Sequence, residues 1–499
     1  MRSVFRTSPA TGVILLLLLF VAVWTAYPAF TRLNLDKYGD MLENYSWGIA
    51  WQAGYFKHPP LFAWITAGWF SLFPNTDWAY YLLSAANAAL AILASWRIAI
   101  RFLDPWRAFL SVALFFFLPP FTFLATKYNA NAAMLPLWPL TVLLYLRLLE
   151  RRKMLDAVLL GVVAAAGMLA KYYSAVQLAA IALHLVADRE ARPMLRQAVA
   201  WVACAVFLLL LVPHAVWLFQ NDFLPVTYAA HQGHGSWLDA LLTVPRFLVA
   251  VLLYALPATG VVGLALWRNG ATRLVEPGWV RRLRQGVKGR ALLWATFGPL
   301  ALAVFLGTVF SADLSSVWAL PMFYSVPILL LLSAPQGQLE RRRGVIPAIA
   351  VGFCLVLMAA VPAVRWFDRA DEVYHRVPVR RIAQEVERAW AAHTDAPLAI
   401  VAGDKILASG ASFYGPSRPL SMQGSSFALT PWVKPEDVAR KGILVACFKE
   451  RGLKACEAAA QRLRPAYDAQ VDVTVHGFAP GEEWPVRFFI ALPRAQTAG

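Results

Sequence analysis

Between residues 36 and 64 the chain gathers acids, bases, amides and aromatics between two long apolar runs. Asp36, Asp40 and Asn44 recur every four residues and Glu43 follows Asp40 by three, so a helix here would carry a polar stripe on one face. A carboxylate on such a stripe can take a proton from an acceptor hydroxyl, hold a divalent cation, or cap the helix. Trp47 and Trp51 follow, and His58-Pro59-Pro60 then ends the helix. Aromatic residues at this density suit a lipid–water boundary, which predicts a helix lying at a membrane surface. Asn44-Tyr45-Ser46 matches a glycosylation sequon, too short a match to carry weight.

Cations complete the set. Lys57, His58, Lys127 and Lys171 fall in turns next to the ends of apolar runs, and Arg246 opens another run. On the topology below they lie outside the cytoplasm, where positive charge is uncommon, and they could hold an anion such as a lipid phosphate. Contact with lipid headgroups is the plainer alternative. His231 and His234, in His-Gln-Gly-His-Gly, have no third ligand at a telling spacing and read as a polar loop over the site.

These residues must be held by a membrane scaffold. The 499 residues are 59% hydrophobic and 15% charged, with a mean hydropathy of +0.53. The net charge of +17 does not form one soluble basic patch, which argues against nucleic acid. Lys and Arg instead come in short clusters between apolar runs, the positive-inside pattern.

Arg2 and Arg6 precede a first run at 11–26, which we read as an uncleaved span with the N-terminus cytoplasmic. The segment 60–73 is too short and interrupted to cross and is expected to lie flat or re-enter. Further spans are predicted at 79–99, 108–124, 134–149, 154–170, 174–187, 198–218, 244–267, 291–310, 317–332 and 345–364. That makes about eleven, with a long outside loop at 220–243 and the most basic inside loop at 268–290. An odd number puts the tail from 365 to 499 outside. Its helix-like 382–392 and strand-like 398–401, 443–448 and 487–492 predict a small α/β domain. The expected division is therefore a transmembrane domain over 1–364, with its active-site loop at 31–64, and an extracytoplasmic domain over 365–499. Cys447 and Cys456 lie close together in that tail and are expected to form a disulfide, whereas Cys204 and Cys354 sit in apolar runs as small core residues.

Asp40 stands fourteen positions before Gly54-Tyr55-Phe56-Lys57-His58-Pro59-Pro60-Leu61. This arrangement resembles the family 39 and 83 membrane glycosyltransferases of the GT-C type, which include the aminoarabinose lipid A transferases, the lipopolysaccharide galacturonosyltransferases and the protein O-mannosyltransferases. Thr126-Lys127-Tyr128-Asn129-Ala130-Asn131, Leu135-Pro136-Leu137-Trp138, Leu169-Ala170-Lys171-Tyr172, Gln220-Asn221-Asp222-Phe223 and Val317-Trp318-Ala319-Leu320-Pro321 extend the likeness over about the first 335 residues. The resemblance implies a polytopic GT-C helical fold with surface helices in the first loop. It places Asp40 at the catalytic aspartate and His58 where many members carry a phosphate-contacting Lys or His. It implies donor phosphate contacts from Lys57, His58, Lys127 and Lys171, and substrate contacts from Asp36, Glu43, Tyr55, Asn129, Asn131, Tyr172 and Arg246.

Two departures bear on chemistry. Met41 stands where the family usually has a second acid, and Asn131 replaces the acid of the second loop. Both changes weaken the case for a bound divalent cation, so no cofactor is assigned and a cation stays open. The implied reaction is inverting transfer of a sugar from a polyprenyl phosphate to an envelope acceptor such as lipid A or lipopolysaccharide core, at the periplasmic face of a bacterial inner membrane. The leaving group is a phosphate, which needs positive charge more than a proton. A lipid or solute transporter is the alternative, and it would be expected to carry charges in mid-span rather than at one face.

Overall fold

A computed structural model describes residues 8–231, 237–268, 270, 273–311, 313–341, 343–368, 374–464 and 466–494. The chain divides into two compact units. The first comprises Met1–Pro28, Tyr81–Val216 and Val226–Val361, and the second comprises Ala29–Tyr80, Trp217–Pro225 and Pro362–Gly499.

The first unit is helical. Each of the eleven expected runs is helix among the described residues: seven are long and apolar enough to cross a membrane, an eighth is the bent pair Val345–Ala359 and Val361–Phe367, and Pro105–Phe117, Met154–Ala170 and Ser174–Ala187 are shorter. The two helices of the pair are separated at Ala360, and Pro362 just beyond has no N–H to continue the ladder. Local chemistry fixes the helix ends. Asp104 accepts from the N–H groups of Trp106 and Arg107 to start Pro105–Leu114, and Asn129 does the same for Ala130–Arg151 from Asn131 and Ala132. The run expected to continue to 124 stops as helix at Phe117, because Pro119 and Pro120 follow. The expected loop at 220–243 is instead largely helical, as Leu224–His231 and the start of Trp237–Arg268. Its sequence is apolar enough on either side of Gly233 and Gly235 to extend the helices.

The second unit joins the first loop to the C-terminal tail. The tail forms a five-stranded sheet of β1 (Ile400–Gly403), β2 (Leu420–Gln423), β3 (Ile443–Phe448), β4 (Ala469–His476) and β5 (Glu483–Ala491), in the order β2-β1-β3-β5-β4. β2, β1 and β3 are parallel, with Ile400 opposite Leu420 and Val401 opposite Leu444; β5 runs antiparallel to β3 and β4. β1 and β3 are buried along their whole length, as the interior strands of a covered parallel sheet must be. The predicted helix appears as Val379–Ala391 and buries Ile382, Ala383, Val386, Ala389 and Trp390, one stripe of a 3.6-residue repeat. Cys447 on β3 is bonded to Cys456 of helix Leu453–Leu463, with Cα atoms 5.9 Å apart.

The first loop packs into this unit through helices Asp40–Gly48 and Leu61–Phe70. Asn34 donates its amide to the carbonyls of Tyr374, His375 and Val377. Tyr45 and Phe70 meet the ring of Phe413 edge-on at 5.1 and 5.0 Å. Gly48 allows the close approach of the two loop helices, since a Cβ there would lie 2.3 Å from the Ala63 carbonyl oxygen. Met41 to Gly48 are all buried, so the helix expected to lie on lipid is enclosed by protein, and only Trp51 of the tryptophan pair is exposed.

Candidate active site

Gly39, with φ of +72°, turns the chain in the left-handed region immediately before Asp40, so the helix begins at Asp40. Asp36 therefore lies outside the helix, and the expected four-residue stripe starts one turn later. Its buried carboxylate accepts from the N–H groups of Tyr38 (2.9 Å), Asp40 (3.2 Å) and Met41 (2.8 Å), satisfying donors that the first turn leaves unpaired. Asp40 and Glu43 then occupy that first turn, where the helix dipole favours negative charge.

Glu43 is the hub of the cluster. Its Oε1 accepts from Lys57 Nζ at 2.9 Å and from Gln423 Nε2 at 2.7 Å, while its Oε2 lies 3.4 Å from Lys405 Nζ. Lys405 Nζ is also 3.4 Å from Asp40 Oδ1. The Asp40 side chain keeps 29% of its surface exposed against 6% for Glu43. Burial works against the charge of Lys405, yet Glu43, Asp40 and Asp36 together hold its ammonium above the usual lysine range. Burial pushes the neighbouring Asp404 carboxyl up to about 6, against the opposing pull of Arg451 and the Lys405 N–H. Among the described residues no three His, Cys, Asp or Glu side chains gather as a metal-ligand set.

The Gly-Tyr-Phe-Lys-His element makes the wall beside this cluster. Tyr55 and His58 exchange backbone hydrogen bonds across a tight turn. Tyr55 is fully buried, stacks on Trp47 at 5.1 Å and donates its hydroxyl to the Trp47 carbonyl, so it packs the turn. Lys57 lies over the rings of Phe56 and Trp47, its charge directed at Glu43. His58 sets its ring edge-on to Phe62. Gly54 admits Trp217, whose Cε3 would lie 2.3 Å from a Cβ at that position.

The remaining sequence-predicted residues belong to the helical unit. The ammonium of Lys171 donates to Asn131 Oδ1 and lies 5.2 Å from the ring centroid of Trp318. The Tyr172 hydroxyl and His214 Nε2 share a hydrogen bond of 2.7 Å. Asn129 is the helix cap described above, and Lys127 is half-buried in the turn before it. Arg246 is exposed on helix Trp237–Arg268. The side chain of His231 and all of His234 lie outside the described residues.

Lys405 and Gln423 were not singled out from the sequence. Their signal is the polar end of an apolar strand: Ile-Val-Ala-Gly followed by Asp404-Lys405, and Leu-Ser-Met ending in Gln423. Both stand at the carboxyl edge of the parallel strands, the edge at which α/β sheets present ligand-binding residues.

A family model described as dolichyl-phosphate-mannose-protein mannosyltransferase matches residues 57–217. The lipopolysaccharide core galacturonosyltransferase RgtB of Rhizobium johnstonii is 24% identical over 323 residues, covering 62% of this chain and 61% of that protein. RgtA of the same organism is 28% identical over 235 residues, covering 42% and 44%. The chain thus spans less than two thirds of the length of these relatives. The crystal structure of ArnT from Cupriavidus metallidurans bound to undecaprenyl phosphate superposes with a TM-score of 0.63 at 15% identity, over 97% of this chain and 99% of that one. The apo form of the same protein gives 0.62 at 16% identity, over 98% and 100%. The chain has that fold.

Proposed function

We propose that this chain, a member of the GT-C superfamily of membrane glycosyltransferases, moves a sugar from a polyprenyl-phosphate donor to a hydroxyl of an envelope lipid acceptor. The observation that carries the reading is the division of labour among the first-loop acids. Asp36 is consumed by capping and Glu43 is buried among Lys57, Gln423 and Lys405, whereas Asp40 keeps an accessible carboxylate in the same turn.

In the proposed step the acceptor oxygen bonds to the anomeric carbon from the face opposite the phosphate, and its proton passes to Asp40. The bond from that carbon to the phosphate oxygen breaks, its electron pair leaving on the polyprenyl phosphate. The result is inversion. The leaving phosphate requires cationic charge, which we assign to Lys171, Lys127 and His58. Lys57 serves the same chemistry indirectly by holding Glu43. In keeping with relatives named for the lipopolysaccharide core, the proposed acceptor is lipopolysaccharide or a lipid precursor of it, at the periplasmic face of a bacterial inner membrane.

The test uses the purified full-length protein in lipid nanodiscs, undecaprenyl phosphate linked to labelled galacturonic acid or aminoarabinose as donor, and lipopolysaccharide as acceptor. Labelled acceptor and released undecaprenyl phosphate are expected from the wild type, and neither from Asp40→Asn inserted at the same level. Transfer near the wild-type rate by Asp40→Asn would sink the assignment. Movement of intact donor across a vesicle membrane without product would favour a flippase instead.

A further inference from the structure

The parallel part of the sheet has a topological switch point. From β1 the chain passes through helix Lys405–Tyr414 to β2 on one side, then crosses to β3 on the other. In sheets of this kind the crevice outside the carboxyl ends of the strands is where ligands bind. Here the residues leaving that edge, Lys405 after β1 and Gln423 at the end of β2, meet carboxylates of the same chain, Asp40 and Glu43. Helix Asp40–Gly48 packs against helix Lys405–Tyr414 so closely that a Cβ on Gly39 would lie 2.7 Å from Ile406 Cδ1.

We infer that Lys405 is a positioning residue for the transfer reaction: it holds Asp40 charged and aimed, and so makes the C-terminal domain a working part of the catalytic centre. This rests on the glycosyltransferase reading above. Asp40 and Glu43 are three residues apart on one helix, so their side chains are neighbours. Like charges so placed repel, and a cation between them relieves the repulsion. Lys405 does so, 3.4 Å from each, while Lys57 neutralises Glu43 from its other oxygen. Lys405 is shared between the two acids, so its charge bears on Asp40 and Glu43 together. The other groups that bear on Lys405 are Asp36, Asp404 of its own turn, and Tyr374, which itself feels Asp404, Lys405 and Arg451.

The experiment compares the pH profile of kcat/KM for the wild type, Lys405→Met, Lys405→Arg and Asp40→Asn in nanodiscs. A second measurement needs no turnover: the pH midpoint at which a water-soluble carbodiimide labels Asp40, read by peptide mass spectrometry. Removing the neighbouring cation should raise both the acid limb and the labelling midpoint by about one pH unit, with Lys405→Arg close to the wild type. Lys405→Gln carries the same expectation and replaces Lys405→Met if the latter does not insert. An unchanged acid limb and an unchanged midpoint in a variant lacking the cation, with Asp40→Asn inactive, overturn the inference and leave the transferase reading standing. Activity in Asp40→Asn removes Asp40 as the base and with it this inference, and leaves the chain a transferase; transport of intact donor without product by the wild type is what removes the transferase reading.

Discussion

The Glu43 carboxylate and the Gln423 amide meet at 2.7 Å across 380 residues of sequence. Glu43 is nearly fully buried and also receives Lys57 and Lys405, so it is the one negative centre tying three segments together. Glu43→Ala takes from Lys57 its 2.9 Å carboxylate and leaves Lys405 only Asp40, and should lower stability by roughly 3 kcal/mol, the cost of breaking a buried ion pair. Gln423→Ala removes one hydrogen bond to a charged group and should cost about 1.5–3 kcal/mol. Thermal unfolding of the two single variants and the double variant in detergent checks both values. The double variant should lose less than the sum, because the two share one interaction.

Gly54 and Trp217 make a steric prediction. A methyl group at 54 would sit 2.3 Å from the Trp217 ring, far inside contact distance, and the buried turn around Tyr55 has little room to yield. Gly54→Ala should destabilise by about 1–3 kcal/mol, as overpacked sites do. Shrinking the partner with Trp217→Leu in the same chain should recover part of the loss, measured by the shift in melting temperature.

Much of this architecture is legible in sequence because it is local. Eleven apolar runs with basic clusters between them announce helices, of which seven, or eight with the bent pair, are long and apolar enough to cross a membrane among the described residues. The cap that Asn129 provides is not among the expectations, which make it a substrate contact. Asp40 is singled out in sequence only through the family resemblance in its distance to the His-Pro-Pro turn, and its role is the one proposed above. Asp36 misleads, since its spacing fits a helix stripe but Gly39 breaks the helix ahead of Asp40 and turns Asp36 into a cap. Lys405 and Gln423 are not legible, because nothing near them in sequence shows which acids they meet hundreds of residues earlier. Neither β2 nor β4 is among the predicted strands. β2 is four residues in a turn-rich stretch, whereas β4 does carry a strand signal, the alternation of Val471, Val473 and Val475 with Asp472, Thr474 and His476.

Lys171 offers a prediction from the helical unit. Its ammonium donates to Asn131 and lies over the face of Trp318, two contacts that help fix its direction. If it serves the donor phosphate, Lys171→Ala should raise the apparent KM for the prenyl-phosphate donor roughly tenfold or more, the worth of one charged hydrogen bond. The apparent KM for the acceptor should stay within about twofold. Asn131→Ala should produce a smaller change in the same direction. Initial rates at varied donor and fixed acceptor, and the reverse, separate the two parameters.

Asp404 gives a pH dependence whose sign can be worked out. Burial raises its folded-state pKa from 3.8 to about 6, so between those values the folded chain binds more protons than the unfolded chain. Stability must then fall as the pH rises through this window, and above about 6 the protein carries the full cost of an ionised, half-buried carboxylate. Asp404→Asn removes the titration. The variant should match the wild type below about pH 4 and exceed it at pH 7 by about 1–3 kcal/mol, given 1.36 kcal/mol for each pKa unit. Melting temperatures of both proteins measured every half unit from pH 4 to 7.5 should diverge only within that window. Parallel curves across the range would show that Asp404 does not titrate there, and that Arg451 and the Lys405 N–H outweigh the burial that surrounds it.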